Sequence, residues 1–191
     1  MTRMPELESA RLRIRELARE DLGAAHAIML AGFPSEPAVT LQARRAWLDW
    51  TIASYEQLAL LMQPPYGERA IVHKETGAVI GLIGFAPGLM PFGILPSLAD
   101  PAAAPERGYT SEVAMFWAVA PAERRQGFAA EAARMMIDYA FGQMHLKRIV
   151  ATTEHDNAGS QGVMRAAGMR LERNPGDKPP WMQVVGMRAN R

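Results

Sequence analysis

The stretch from Glu112 to Phe141 constrains the fold of this chain most strongly, because it reads as a strand, a short basic loop and a helix. Residues 112–119 are mostly apolar, with aromatics in the middle, and Pro121 stops them, which is typical of a mostly buried strand. Residues 131–141 are rich in strong helix formers and are followed by Gly142. The sequence therefore predicts a helix that begins near Gly127.

The loop before this helix has the composition of an anion site. The first amides of a helix have no intrahelical partner and lie at the positive end of the helix dipole, so they attract negative groups. Gly127 would let a phosphate approach the backbone, and Arg124 and Arg125 supply positive charge. These residues suit a pyrophosphate, although two arginines before a glycine also fit a solvated turn.

Two motifs in this region resemble those of the GNAT superfamily of N-acyltransferases. Arg124-x-x-Gly127-x-Ala129 resembles the acyl-CoA signature of that family, which is Arg or Gln, two residues, Gly, one residue, then Gly or Ala. Further on, Asn157-x-x-Ser160 and Gly168-Met169 resemble elements of the RimJ/RimL-like branch, whose members acetylate the N termini of ribosomal proteins. The clear resemblance covers residues 112–171.

The resemblance implies an α+β GNAT fold, with a mixed, mostly antiparallel central sheet that splays at the cofactor strand and is flanked by helices. The residue patterns predict elements in the matching order βααβββαβαββ. The predicted strands are 11–17, 69–73, 78–85, 112–119, 146–153, 169–173 and 181–187, and the predicted helices are 22–30, 40–62, 127–141 and 157–167. We expect residues 1–191 to form a single domain with a Pro/Gly-rich insertion at about 86–110.

The same resemblance implies acetyl-CoA as the acetyl donor and assigns residues to it. Backbone groups near Ala118 and Val119 would pair with the pantetheine amides. The pyrophosphate would be held by the loop residues Arg124, Arg125, Gln126, Gly127, Phe128 and Ala129. Asn157 would hydrogen-bond the pantetheine arm, but an Asn directly before a helix is equally well explained as an ordinary N-cap.

The proton-handling groups are less well defined by the sequence. Ser160 matches the residue that protonates the leaving thiolate in the RimJ/RimL-like branch, although a Ser there also fits plain helix-start chemistry. Some GNAT enzymes use a Tyr seven residues after the Asn, a position taken here by Met164. Glu112 is the candidate base, but it lies two residues before the acidic position of the family pattern and fits a solvated strand end equally well. Thr152 occupies the position at which a related branch has a Glu.

The reaction that the resemblance implies is direct attack of a primary amine on the thioester. A peptide α-amine has a pKa of roughly 7.7 to 8, so a sizeable minority is neutral at pH 7, whereas a Lys amine with a pKa near 10.4 is almost fully charged. An α-amine or another weakly basic amine is therefore the easier acceptor without a strong base. The sequence leaves open whether the acceptor is a protein N terminus or a small molecule, and a non-catalytic acyl-CoA-binding module is the alternative function.

Composition excludes several other classes. The net charge of +1 gives no support for nucleic-acid binding, and the absence of Cys excludes disulfides and Cys-ligated metals. No metal site is expected. The N-terminal residues lack an apolar signal region, so a cytoplasmic location is expected. An uncharged run at 77–99 contains three Pro and five Gly, which favours a buried strand and loop over a membrane helix.

The predicted insertion at 86–110 contains five Pro and has no sustained period. A loop of this length in a compact domain is commonly either functional or disordered. We expect it to fold over the acceptor site. Its exposed apolar residues would also suit a homodimer, although the sequence does not decide the oligomeric state.

Overall fold

The structure is a computed structural model, and it describes residues 3–33, 39–99, 108–176 and 178–190. It contains eight strands: β1 (Leu7–Glu8), β2 (Leu12–Arg15), β3 (Gly67–His73), β4 (Val79–Met90), β5 (Thr110–Val119), β6 (Arg148–Thr153), β7 (Arg170–Arg173) and β8 (Val184–Ala189). The helices are α1 (Leu22–Gly32), α2 (Leu41–Leu60), α3 (Phe128–Gly142) and α4 (Ala158–Ala166). This order confirms the predicted one, apart from the two-residue strand β1, which was not predicted.

The chain divides into two compact units. The N-terminal unit comprises Met1–Phe85 and Trp117–Met136, and the C-terminal unit comprises Ala86–Phe116 and Ile137–Arg191. Strands β4 and β5 and helix α3 therefore contribute residues to both units.

In the N-terminal unit, strands β1 to β4 form an antiparallel ladder in sequence order. Alternation places Leu12 and Ile14 of β2 fully inside. One core cluster joins the sheet to α1 and α2, and it contains Leu17, Ala25, Ile28, Leu48, Ala70, Val72, Leu82 and Ala118. Burial of these apolar side chains stabilises the unit.

Helix α2 is held at both of its ends. Its N-cap is Thr40, whose Oγ1 accepts a hydrogen bond from the Ala43 amide at 3.2 Å. Near its other end, the hydroxyl of Tyr55 accepts from the Leu17 amide at 3.0 Å and donates to the Glu68 carbonyl at 2.6 Å. Burial raises the pKa of Tyr55 to about 12, so this hydroxyl stays neutral and continues to donate.

In the C-terminal unit, β5 lies parallel to β6 at the pair Ala114 and Val150. Strand β8 pairs antiparallel with both β6 and β7. The mixed, mostly antiparallel sheet that the resemblance implied is confirmed.

The segment predicted as an irregular insertion is ordered over much of its length. Strand β4 continues past Pro87 to Met90, and a short 3₁₀ turn follows at Phe92–Ile94. Leu95 and Leu98 then enter a core cluster together with Phe92, Val150, Met182 and Val185. The prediction of a loop is therefore wrong for residues 86–90, which continue β4, and for the 3₁₀ turn at 92–94. Apolar side chains farther along the segment are buried without regular secondary structure. The expected cover of the acceptor site falls partly on residues 100–107, which lie outside the described residues.

The backbones of Gly93 and Gly108 cross at close range. The amide of Gly93 donates to the carbonyl of Gly108 at 2.7 Å. A Cβ placed on Gly93 would lie 2.4 Å from that carbonyl oxygen, so a side chain would block this contact.

The helices of the described residues are all too short or too polar to cross a membrane.

Candidate active site

The loop between β5 and α3 has the backbone conformation of an anion site. Gly127 has a φ of 83° and Arg125 a φ of 62°, two left-handed residues that bend the chain into the helix. The first backbone hydrogen bond of α3 runs from the Glu131 amide to the Gly127 carbonyl at 3.0 Å. Within the described residues, the amides of 125–130 make no hydrogen bond. These free amides can bind an anion.

Arg124 does not direct its guanidinium at these free amides. Its Nε donates to the Val119 carbonyl at 3.1 Å, and its Nη2 donates to the Ala31 carbonyl at 2.9 Å. Because Ala31 lies in the last turn of α1, the cation also faces the negative end of that helix dipole. The expectation that Arg124 supplies charge to a phosphate therefore needs correction, since this side chain ties the loop to β5 and α1.

Arg125 is the cation that this loop leaves available. It is exposed, and it makes no hydrogen bond or ion pair with any described residue. Gln126 stays within the loop, because its amide nitrogen donates to the Ala122 carbonyl at 3.2 Å and to the Glu123 carboxylate at 3.1 Å. Phe128 is buried, and Ala129 is half-buried at the start of α3.

A clamp that the sequence did not indicate holds the start of α3. The Nε of Arg11 donates to the Glu131 carboxylate at 2.8 Å, and its Nη1 donates to the Gln126 carbonyl at 3.1 Å. The Arg11 guanidinium also stacks 4.5 Å from the centre of the Phe128 ring. The hydroxyl of Ser9 donates to Glu131 at 2.6 Å. The contacting residues are more than 100 positions apart in the sequence, so local sequence patterns do not predict these contacts.

The clamp keeps the Glu131 carboxylate charged. Burial acts to raise the pKa of Glu131, but hydrogen bonds from Ser9 and Arg11 outweigh it, and the pKa lies below its ordinary value. A negative charge in the first turn of a helix is itself favourable. Glu131 therefore holds the loop in place through Arg11, while the backbone amides of residues 125–130 make no hydrogen bond with the described residues.

At the end of β5, the backbone groups of alternate residues point toward β4, and those of the residues between them point away from β4. The Ala120 amide donates to the Ile80 carbonyl of β4 at 2.8 Å. The Ala118 carbonyl also faces β4, because a Cβ built on Gly81 would lie 2.7 Å from its oxygen. Alternation then turns the backbone groups of Val119 to the opposite edge. Of the two residues predicted to pair with pantetheine, Ala118 faces β4 and Val119 faces away from it, and the Val119 carbonyl already accepts a hydrogen bond from Arg124.

Asn157 and Ser160 lie together at the start of α4 in the C-terminal unit. The Asn157 side-chain oxygen accepts a hydrogen bond from the Ser160 amide at 2.9 Å, so the N-cap interpretation of Asn157 is correct. Its amide nitrogen makes no hydrogen bond within the described part of the chain. The Ser160 hydroxyl is partly exposed and is likewise without a partner there. Both groups remain available to a ligand.

Glu112 is buried in the C-terminal unit and is fully engaged. Its two carboxylate oxygens accept from Nε and Nη2 of Arg148, the former at 2.7 Å, and Thr110 Oγ1 donates to it at 3.0 Å. The interpretation of Glu112 as a solvated strand end is therefore wrong, since the residue is 5% exposed. The carboxylate raises the pKa of Arg148, and its oxygens are already occupied by the guanidinium and by Thr110.

The remaining sequence positions offer little proton chemistry. Met164 is completely buried and packs against Gly186, and Thr152 is half-buried in β6. Among the described residues, no group of three His, Asp or Glu side chains could hold a metal ion.

Comparison with known proteins gives a consistent picture. A family model described as an acetyltransferase (GNAT) domain matches residues 11–170. The Bacillus subtilis (strain 168) protein named uncharacterized N-acetyltransferase YnaD is 41% identical over 56 residues, covering 29% of this chain and 33% of that protein. The YjdG protein of the same organism, also named an uncharacterized N-acetyltransferase, is 30% identical over 115 residues, covering 60% of this chain and 58% of that protein. The matches therefore span between a third and about three fifths of those relatives.

Solved structures share the fold over almost the whole chain. An acetyltransferase from Agrobacterium tumefaciens str. C58 superposes with a TM-score of 0.69 at 24% identity, covering 97% of this chain and 94% of that one. RimL, a ribosomal L7/L12 alpha-N-protein acetyltransferase solved with coenzyme A, superposes with a TM-score of 0.66 at 14% identity, covering 97% and 98%. At these identities the likeness shows the fold.

Proposed function

Because this chain belongs to the GNAT acetyltransferase family, whose domain model matches residues 11–170, we propose that it transfers an acetyl group from acetyl-CoA to a primary amine. The observation that carries the proposal is the row of free amides at residues 125–130, which the clamp of Arg11 and Glu131 holds open. Acetyl-CoA would supply the activated thioester. Residues of this chain would bind it, orient it and move the protons.

The N-terminal unit supplies the groups that fit the donor. The free amides of α3 and the unpaired Arg125 suit a pyrophosphate, which carries negative charge on several oxygens. The outward edge of Val119 suits an amide chain that adds to β5 as an extra strand would. Arg124 has a positioning role, because it fixes the end of β5 to the loop through the Val119 carbonyl.

In the reaction, the amine nitrogen forms a bond to the acetyl carbon and the bond between that carbon and sulfur breaks. One amine proton is lost, and the thiolate takes up a proton. We assign protonation of the sulfur to the Ser160 hydroxyl, since it is partly exposed and unpartnered within the described residues. We assign the pantetheine arm to the free amide nitrogen of Asn157.

Glu112 has no part in this scheme as the base. Its carboxylate is paired with Arg148, and removal of a proton from the amine falls to water or to another carboxylate. An α-amine needs little help, because its pKa of roughly 7.7 to 8 leaves a sizeable neutral fraction at pH 7. The resemblance to the RimJ/RimL-like branch supports an acceptor with an amine of this kind.

The test is release of coenzyme A from acetyl-CoA against a panel of N-terminal peptides, amino acids, polyamines and aminoglycosides. We expect turnover with one class of amine, and a loss of about 100-fold in kcat for Ser160→Ala, the lower range for a general acid. Ser54→Ala, a serine of α2 bonded to the Thr51 carbonyl at 2.7 Å, is the matched control and should keep its rate.

Two results would contradict the assignment. Equal rates for the wild type and Ser160→Ala would remove Ser160 from the chemistry. Binding of acetyl-CoA without release over the whole panel would favour the non-catalytic acyl-CoA-binding module, which the pairing of Glu112 with Arg148 and the buried Met164 also support.

A further inference from the structure

The N-terminal unit contains a buried cation whose charge is not neutralised by a contact. Arg44 of α2 is 5% exposed, and its Nε is completely buried without a hydrogen-bond partner. Arg44 makes no hydrogen bond or ion pair with any described residue. Its guanidinium stacks over the ring of Trp47, 5.1 Å from the ring centre. Arginine is almost never this buried unless it is paired. Arg44 therefore has donors to spare for an anion.

A carboxylate in the same unit is also without an ion-pair partner. Glu68 of β3 is partly exposed, and no described cation lies within ion-pair distance of its carboxylate. Burial raises the pKa of Glu68, and a hydrogen bond with its own backbone and the positive charges of Arg44 and Arg69 partly oppose this effect. Arg44 and Glu68 do not form a salt bridge with each other.

The fold places both side chains on the face of the sheet that α2 covers. Alternation puts Glu68 on the same face as Ala70, which shares a core cluster with Leu48 of α2. Arg44 precedes Leu48 by one helical turn and belongs to the same buried stripe of α2. The carboxylate of Glu68 on β3 and the guanidinium of Arg44 on α2 therefore lie on the same side of the sheet, between β3 and α2.

Strand β4 lies between this region and the end of β5. Glu68 pairs with Gly84 of β4, and Gly81 of the same strand lies against the Ala118 carbonyl of β5. Gly81 and Gly84 are three residues apart, which corresponds to about 10 Å along the strand. A small acceptor held by Glu68 would lie in the N-terminal unit beside β4, and the donor edge at Val119 is the edge of β5 that faces away from β4.

We propose that the acceptor is an amino acid or another small molecule with both an amine and a carboxylate, Arg44 binding the carboxylate and Glu68 binding the amine. The guanidinium fork matches the two oxygens of a carboxylate, and the carboxylate of Glu68 can bind the amine and take up the proton that the amine must lose before it attacks. A protein N terminus has no carboxylate next to its α-amine, so it does not satisfy Arg44. This inference rests on the proposed acetyl transfer and names the class of its acceptor.

The test compares free amino acids with their amides, which keep the amine and lose the carboxylate charge. For the amino acid that reacts best, we expect the wild type to have a kcat/KM at least about tenfold higher with the free acid than with its amide, because only the acid can form a charge-assisted hydrogen bond with Arg44. In Arg44→Met the KM for the acid should rise about 10- to 100-fold, while the amide keeps its value. Arg45→Met, the exposed neighbour on α2, is the matched control and should leave both unchanged.

A second readout does not depend on turnover. Saturating amino acid should raise the melting temperature of the wild type and of Arg45→Met, and should leave that of Arg44→Met unchanged. Glu68→Gln should raise KM for the acid and the amide alike, because both contain the amine. Glu75→Gln, in an exposed turn, is its control. Arg44→Lys should restore part of the preference for the acid and guards against a folding defect in Arg44→Met.

The failures of the two proposals are distinguishable. If amides or peptides react as fast as free amino acids, or if Arg44→Met slows both members of a pair equally, the acceptor assignment is overturned and the acetyl transfer stands. If no amine of either series releases coenzyme A, the proposed function fails and the acceptor assignment fails with it.

Discussion

At the scale of single residues, the ion pair with Arg148 indicates that the carboxylate of Glu112 has a structural role and not a catalytic one. Glu112→Gln removes one charge and leaves the Arg148 guanidinium without its partner. Because Arg148 is 40% exposed on its side chain, water can compensate in part. We expect a loss of about 2 kcal/mol in the free energy of unfolding, measured with urea. The double variant with Arg148→Gln should recover part of that loss.

The same variant tests the role of Glu112 in the chemistry. At a temperature at which it is folded, Glu112→Gln should keep kcat within about tenfold of the wild type, because the carboxylate is not the base. A general base removed from an active site lowers the rate by about 100-fold or more. A loss of that size in a folded variant would return Glu112 to the catalytic residues.

Tyr55 predicts how stability depends on alkaline pH. Its folded pKa of about 12 lies above its ordinary value of 10.0, so the neutral hydroxyl is favoured in the folded state. The stability it contributes is fully present below pH 10 and is lost as pH rises toward 12. A shift of this size corresponds to roughly 2 to 3 kcal/mol.

The measurement is urea unfolding of the wild type and Tyr55→Phe between pH 8 and pH 12. At pH 8 the variant should be less stable by about 1 to 2 kcal/mol, because it lacks the hydrogen bonds to Leu17 and Glu68. The gap should close as the pH approaches about 12. A gap that stays constant over this range would contradict the account of the buried hydroxyl.

At the scale of elements, the loop before α3 depends on one glycine. Gly127 has a φ of 83°, so Gly127→Ala forces a side chain into the left-handed region. We expect a loss of about 1 to 2 kcal/mol in stability and weaker binding of acetyl-CoA, because the free amides shift. The control is Gly142→Ala at the other end of α3, where a Cβ meets nothing within 4 Å. That change should be neutral or slightly stabilising by urea unfolding.

Local sequence patterns account for most of the helices and strands. The predicted helices were close to the observed ones, and Asn157 and Thr40 cap them as local patterns suggest. Strand β4 was predicted to end at residue 85, because the Pro- and Gly-rich residues that follow show no sustained period, but it continues to Met90. The direction of the Arg124 side chain depends on the carbonyl of Ala31, which is distant in sequence.

The candidate site shows the same limit. The RxxGxA pattern could be read from neighbouring residues, and so could the Asn and Ser of α4. The clamp of Arg11 and Glu131, the burial of Glu112 and the unpaired Arg44 each depend on contacts between distant segments. Local periodicity carries no information on such contacts.

At the scale of the whole molecule, a ligand that binds only the folded chain must stabilise it. Acetyl-CoA at 100 times its dissociation constant should add about 2.7 kcal/mol. For a chain of 191 residues this corresponds to an increase of roughly 5 to 10 °C in melting temperature. Scanning calorimetry with and without acetyl-CoA measures it. An unchanged melting temperature at millimolar acetyl-CoA would argue against donor binding.

The most direct measurement is a calorimetric titration of acetyl-CoA, compared with S-acetylpantetheine, which lacks the pyrophosphate and the nucleotide. The free amides of α3 and Arg125 predict that acetyl-CoA binds at least about 100-fold more tightly, and that added salt narrows the difference. Arg125→Ala should weaken the binding of acetyl-CoA and leave the affinity for S-acetylpantetheine unchanged. Equal affinity of the two compounds, or no binding of acetyl-CoA, would contradict the assignment of this loop and the acetyl transfer that depends on it.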